Sequence, residues 1–356
     1  MQPESILALY ALEGAVTSVR PYGDGHINYT FLVETGAGGA YILQRLSPAA
    51  FNAPEKVMEN VSRVTAYLRG VIARRGGDPS RETLEIIPLA DGREYLLTDE
   101  GCWRMYRFIA GARSYQQAEN EAVFREAGRG FGRFMRDLAQ YPAVTLHETI
   151  PRFHDTENRL TAFRAAAARD TSGRADGVRQ EIAFVLERGH RAGTLVSAGL
   201  PLRVTHNDTK LNNVLMDEQG RALCVIDLDT VMPGLCAYDF GDSIRSGANT
   251  AAEDEADLSR VHFSLPMFRA YAEGYLGETG DMLTGAEIDS LPLGAWMMTY
   301  ECGMRFLMDY LNGDTYYHTT YPTHNLTRAR NQFALLVEME RQEAAMLEIV
   351  RNAIKE

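Results

Sequence analysis

Residues 202–227 constrain this 356-residue chain more than any other stretch, because they place three short strand-like runs around a polar loop in a half that otherwise reads as helix. The runs are Leu202 to Thr205, Val214 to Met216 and Ala222 to Ile226, with Asp217-Glu218-Gln219-Gly220 as the turn between the last two. The loop is His206-Asn207-Asp208-Thr209-Lys210-Leu211-Asn212-Asn213. Asp208 precedes Asn213 by five residues, and the last run ends on Asp227, nineteen residues after Asp208, so a hairpin would return a second carboxylate close to the first. Phosphoryl transfer needs such a set: a carboxylate to orient the attacking hydroxyl, and an amide oxygen with a second carboxylate to hold Mg²⁺ on the phosphates. For any single Asp or Asn, capping a turn is the ordinary use. The joint spacing and the flanking strands favour chemistry.

Upstream, Ala15 to Pro21, Asn28 to Glu34 and Ala40 to Leu46 read as strands separated by glycine clusters. Val57, Val61, Val64 and Leu68 recur at helical spacing, which predicts a helix from Pro54 to about Val71. Two more runs, Arg93 to Thr98 and Cys102 to Ile109, give about five strands and one helix before Gly111 ends the pattern. A boundary at 110–112 therefore divides residues 1–110 from 111–356. Helices are expected over Glu121 to Leu138, Glu181 to Leu195, about Leu291 to Leu311, and from about Thr327 onward. The expected fold class is α+β, with a small antiparallel-sheet lobe and a larger, mainly helical lobe.

A net charge of −12 argues against nonspecific binding to nucleic acid or anionic membrane, and no apolar run is long enough to span a bilayer. The first residues lack a secretory signal pattern. Cys102, Cys224, Cys236 and Cys302 lie far apart without zinc or disulfide spacing, so reduced thiols in a cytoplasmic protein are expected. Nothing in the sequence addresses oligomeric state.

H-x-D-x-x-x-x-N followed by a strand ending in Ile226-Asp227 resembles the aminoglycoside phosphotransferase and choline kinase-like superfamily, related to the protein kinases. The resemblance implies a protein-kinase-like two-lobed fold, ATP and Mg²⁺ as cofactors, Asp208 as catalytic base, Asn213 and Asp227 as magnesium ligands, and His206 as support of the loop. Asp239-Phe240-Gly241 spells the metal-binding tripeptide of protein kinases, but it begins thirty-one residues after Asp208, too far along the chain. Asp239 is expected instead to be structural, at a helix start.

On the nucleotide side, Tyr22-Gly23-Asp24-Gly25-His26-Ile27-Asn28 joins the first two strands, and Gly23 and Gly25, with Asn28, would let backbone N–H groups approach phosphate oxygens. The superfamily usually places a phosphate-gripping lysine on the third strand, where this chain has Gln44. Gln44 supplies a hydrogen bond but no charge, and Arg45 should face the other side of the strand unless a bulge recruits it. The lysine's usual helix partner, Glu55 or Glu59, is left without a role. The last strand leads to Phe108 and Ile109, whose backbone could meet the adenine edge.

The longer motifs Tyr22 to Asn28, Tyr41 to Gln44, Ile226 to Gly234 and Glu301-Cys302-Gly303-Met304-Arg305-Phe306 are similar to those of N-acetylhexosamine 1-kinases, including the glutamine at 44. That likeness implies a small-molecule sugar substrate, GlcNAc or GalNAc, phosphorylated on its anomeric hydroxyl. Candidate substrate contacts are His26, Asp208, Asp229, Arg305 and Tyr316. Arg305 could equally pair with Glu301, four residues earlier on one helix face. An aminoglycoside, choline or other amino-alcohol kinase is the alternative in the same superfamily, and a nucleotide-binding pseudokinase the alternative outside catalysis.

Overall fold

The computed structural model describes residues 3–23, 28–48 and 50–354, so Gly25 and His26 lie outside the described residues. Strands β1 (Val16–Pro21), β2 (Tyr29–Thr35), β3 (Ala40–Leu46), β4 (Tyr95–Thr98) and β5 (Gly101–Arg107) form one antiparallel sheet in the order β1-β2-β3-β5-β4. They match the five predicted runs within about two residues, and β3 matches at both ends. A five-residue helix, α1 (Pro3–Leu7), was not predicted; it is too short to show a period, yet it buries Ile6 and Leu7.

The sheet has two distinct faces, as the two-residue period requires. Tyr41, Leu43, Trp103 and Met105 pack with Ile6 and Leu7 on one face. Ile42, Leu46, Cys102 and Tyr106 join the main core with Val57, Val61, Val64 and Leu68 of helix α2 (Pro54–Arg74) on the other. Proline at the first turn of α2 removes an N–H that has no intrahelical partner there. By the same alternation Gln44 and Arg104 belong to the α2 face, while Arg45 turns outward, pairs with Glu100 at 3.1 Å and lies over the Tyr29 ring.

Beyond the sheet the chain is mainly helical: α3 (Glu121–Asp137), α4 (Thr156–Arg169), α5 (Arg179–Arg188), α6 (Thr194–Ser197), then, after the β island, α7 (Cys236–Gly247), α8 (Leu265–Thr279), α9 (Gly285–Leu311) and α10 (His324–Asn352). The single helix expected over Glu181 to Leu195 is instead broken between α5 and α6. Gly189 and Gly193 lie in this break, where a Cβ would come to 2.7 Å from the Leu160 and Glu157 side chains of α4. Helix α9 starts about six residues before the expected position because Thr284 and Glu287 form a capping box.

The island comprises β6 (Arg203–Thr205), β7 (Val214–Met216), β8 (Ala222–Val225) and β9 (Met232–Gly234), paired antiparallel as β6-β9 and β7-β8. Strand β9, three residues including a proline, carried no sequence signal. Among the described residues no helix is long and apolar enough to cross a membrane.

Candidate active site

The loop between β6 and β7 is held in place by α7. Asp239 accepts the backbone N–H groups of His206 and Asn207, both at 2.7 Å, and Asp242 accepts that of Thr209 at 2.9 Å. Asp239 thus sits in the first turn of α7, as expected for a structural residue, but it satisfies the loop's donors and not the helix's own. Burial pushes its carboxyl up to about 6, against the pull of His206 and the two N–H groups. Asn207 takes a left-handed backbone, φ 63°, and its side-chain amide donates to the Thr230 carbonyl at 2.9 Å. His206 is fully buried, edge-on to Phe131 and Phe134, with Nε2 at 2.9 Å from the Ile226 carbonyl.

Asp208 emerges from this braced loop into the cleft. Its Oδ2 lies 3.0 Å from the Lys210 ammonium and accepts from Asn213 Nδ2 at 3.2 Å. Burial works to raise its carboxyl, but Lys210, His206 and the two hydrogen bonds outweigh that, so it lies below its ordinary value and is ionised at neutral pH. Asn213 also donates to the Asp208 carbonyl at 2.8 Å, which leaves its Oδ1 as an acceptor. The Ile226 N–H donates to the Asn213 carbonyl at 2.9 Å and Val214 pairs with Val225, so the β7-β8 ladder holds Asn213 beside Asp227. Asp227 takes a left-handed turn, φ 61°, and opens to the cleft. The protein around it and its neighbours Asp229 and Asp208 push its carboxyl up to about 7.

An amide oxygen, a carboxylate and surplus local negative charge fit a hard divalent cation. Among the described residues no three His, Cys, Asp or Glu side chains converge to hold one alone. Two protein ligands completed by phosphate oxygens and water are what Mg²⁺ characteristically uses.

Across the cleft, Gly23 has φ +76° with open space where a side chain would stand, a backbone that favours glycine. The Tyr22 ring meets Phe108 edge-on at 5.9 Å. The Phe108 N–H is already given to the Ala40 carbonyl at 3.0 Å, and Ile109 is buried. Gln44 donates to Thr30 Oγ1 at 3.1 Å and accepts from Arg104 at 2.9 and 3.2 Å. Asp229 accepts from Arg104 Nη1 at 2.5 Å and from Asn28 Nδ2 at 2.8 Å, so it faces the sheet. Glu59 of α2 turns away to His147, at 2.6 Å, and to Arg63.

The remaining wall is aromatic. Asp309 accepts the N–H groups of Thr315, Tyr316 and Tyr317 at 2.9–3.0 Å, folding that segment back over α9. The Arg305 guanidinium lies 5.7–5.8 Å from the ring centres of Phe153, Tyr316 and Tyr317 and donates no hydrogen bond among the described residues. Glu301 is committed elsewhere: Thr156 donates to it at 2.7 Å, and His154 and Arg159 lie at 3.1 and 3.2 Å. The His154 ring tilts against Phe153 and reaches the Asn207 carbonyl at 3.5 Å, which links this wall to the catalytic loop.

Sequence reasoning passed over Lys210 and Arg104. Lys210 stood two residues from Asp208, and Arg104 was a lone charge inside a buried strand, itself a signal. The segment 153–159 had no local signal tying it to α9.

A loop carboxylate opposite a glycine-bearing sheet lobe is an arrangement suited to phosphoryl transfer. Residues 18–275 match the model of the phosphotransferase enzyme family APH, and the chain belongs to that family. Its fold is similar to that of a microcompartment-associated aminopropanol kinase, at 18% identity and a TM-score of 0.62 over 96% of this chain and 97% of that one. Amicoumacin kinase in complex with AMP-PNP and Ca²⁺ is similar at 15% identity and 0.59, covering 93% and 91%. Choline kinase from Cryptosporidium parvum Iowa II is similar at 13% and 0.54, covering 96% and 94%. The protein is a small-molecule kinase with a two-lobed, protein-kinase-like fold.

Proposed function

We propose that the protein transfers the γ-phosphoryl group of Mg·ATP to the anomeric hydroxyl of an N-acetylhexosamine, GlcNAc or GalNAc, giving the sugar 1-phosphate. The observation that carries the choice of acceptor is Arg305: a guanidinium without a hydrogen-bonded partner among the described residues, ringed by Phe153, Tyr316 and Tyr317. Such a group seeks acceptors, and sugar hydroxyl or carbonyl oxygens provide them. An aromatic ring set is also how a quaternary or primary amine would be held, which favours the amino-alcohol reading. Here, however, the protein's own cation already occupies the rings and would repel a second.

In this reading residues 1–110 bind nucleotide and 111–356 carry the chemistry and the acceptor. Asp208 takes the hydroxyl proton, and Lys210 meets charge developing on the transferred group. Asn213 and Asp227 hold Mg²⁺, which supplies charge neutralisation on the phosphates. Gly23, Gly25 and Asn28 approach the phosphates, Gln44 lines the cleft, and the backbone at Phe108 and Ile109 meets the base. Arg305, Tyr316 and His26 contact the sugar, while Asp229 serves the nucleotide side through Arg104 and Asn28. The four unpaired cysteines accord with a cytoplasmic enzyme.

The test is incubation with ATP, Mg²⁺ and a panel of GlcNAc, GalNAc, choline, ethanolamine, aminopropanol and an aminoglycoside, following ADP and the phosphorylated product. The expected result is an acid-labile sugar phosphate. Turnover of an amine with none of either sugar would reject the acceptor.

A further inference from the structure

The cation of the third strand, Arg45, turns outward to Glu100, yet the cleft face of the sheet carries one from another strand. Antiparallel pairing of β3 with β5 sets Gln44 directly opposite Arg104, on the face toward α2 and the cleft. Arg104 is 1% exposed, and its hydrogen bonds are strongly directed. Nε and Nη2 both donate to Gln44 Oε1, Nη1 donates to Asp229 Oδ1 at 2.5 Å, and the same Nη1 lies 3.8 Å from the Met58 sulfur of α2. Met58 thus meets the guanidinium from α2. Asp229 is fixed from its other oxygen by Asn28, whose own Oδ1 accepts the Ser47 N–H at 3.2 Å. The result is a continuous chain from Thr30 through Gln44, Arg104, Asp229 and Asn28 back to the sheet.

Asp229 is two residues from Asp227, inside the single helical turn Leu228–Thr230. Whatever fixes Asp229 therefore fixes the turn that presents Asp227. The charge count points the same way. Lys210 pairs with Asp208 and Arg104 with Asp229, so loss of Arg104 would leave more uncompensated negative charge beside Asp227, where a polyanionic nucleotide is to bind.

We propose that Arg104 is the cationic positioning residue of the nucleotide site, displaced one strand from β3 to β5, and that it acts through Asp229 on the Asp227 turn and through Gln44 on the sheet. The proposal rests on the phosphoryl-transfer reading of the cleft. Its consequence is a split: Arg104 governs Mg·nucleotide binding and leaves the acceptor side, built by α9 and Phe153, unaffected.

The test is calorimetric titration of Mg·AMP-PNP into the wild type, Arg104→Gln and the double variant Arg104→Gln/Gln44→Lys, with melting temperatures and the KM for each substrate measured alongside. Arg104→Gln is expected to bind Mg·AMP-PNP at least about tenfold more weakly, as loss of one partner of a buried charge pair does, with the acceptor KM within about twofold. The double variant, which returns a cation to the register partner on β3, is expected to regain most of that affinity. A folded Arg104→Gln that binds like the wild type overturns the proposal, as does a double variant that regains melting temperature but no affinity. Should Arg104→Gln fail to fold, Arg104→Lys decides: affinity within about threefold upholds the role of charge, and a folded variant about tenfold weaker rejects it. Wild type that binds no Mg·AMP-PNP would instead reject the phosphoryl-transfer reading itself.

Discussion

The two walls of the cleft arrange their charges by different means. On the helical side, Asp208, Lys210 and Asn213 lie within six residues of chain, and Asp227 is one hairpin away. On the sheet side, the Arg104 guanidinium meets Gln44 across 60 residues and Asp229 across 125. A local loop fixes spacing by covalent geometry, so its residue types have little freedom. A charge delivered by sheet register needs only the correct face, and a neighbouring strand can supply it. The contrast predicts unequal sensitivity. Asp208→Asn should lower kcat by about 10² to 10⁴, on the order of 3 to 5 kcal/mol, because the proton acceptor is lost. Steady-state kinetics checks this, and retention of full activity would remove Asp208 from that role.

The same contrast governs how much could be read from sequence. The five strands and α2 were legible because each carries its own period, β6 to β8 because they flank a polar loop and a turn, and the loop brought Asp208, Asn213 and Asp227 into view together through local spacing alone. Arg104 stood as a lone charge within Cys102 to Ile109 and was passed over. What sequence could not supply was that β5 pairs with β3, passing over β4 at the sheet edge. The acceptor wall was hidden for a similar reason: Phe153 and His154 precede α4, and only tertiary packing brings them to Arg305. The break between α5 and α6 falls at Gly189 and Gly193, where the chain packs close on α4, and no helical periodicity records it.

Asp239 sharpens the account of the helical wall, since a loop rigid enough for catalysis is braced there by a buried carboxylate. Its folded value, about 6, stands above the ordinary 3.8, so the folded state binds more protons between these values. The stability this group contributes is therefore fully present below about pH 4 and is lost as pH rises through about 6. Denaturant unfolding of the wild type and Asp239→Asn at pH 4, 5, 6 and 7 should show the difference between them falling against the wild type by on the order of 3 kcal/mol, then levelling. A difference that is flat across the range would mean the carboxylate is already ionised at pH 4.

That brace depends in turn on close approach of α7 to α9. A Cβ on Gly294 would overlap the Ala237 carbonyl oxygen, and one on Gly241, between the two bracing aspartates, would overlap the Gly294 carbonyl oxygen. Gly294→Ala should cost about 1 to 3 kcal/mol by overpacking. It should also lower kcat more than it raises the nucleotide KM, because the displaced element carries the catalytic loop and not the sheet. Melting temperature and the kcat-to-KM split measure both effects. An equal rise in nucleotide KM would break the separation of the two walls.

The smallest effect is expected where the usual kinase arrangement would predict a large one. In that arrangement a glutamate of the first long helix grips the phosphate-binding lysine. Glu59 here is half-exposed, bonded to His147 and Arg63, and Met58 beside it is the residue that meets Arg104. Hydrogen bonding to His147 holds its carboxyl below the ordinary value, but an exposed pair of this kind contributes little. Glu59→Gln should therefore change the nucleotide KM by no more than about twofold, as expected for a screened surface pair. A much larger rise would mean that α2, and not the β5 arginine with Asp229, anchors the charge on the sheet side, and the distinction between a wall built by local sequence and one built by register would have to be redrawn.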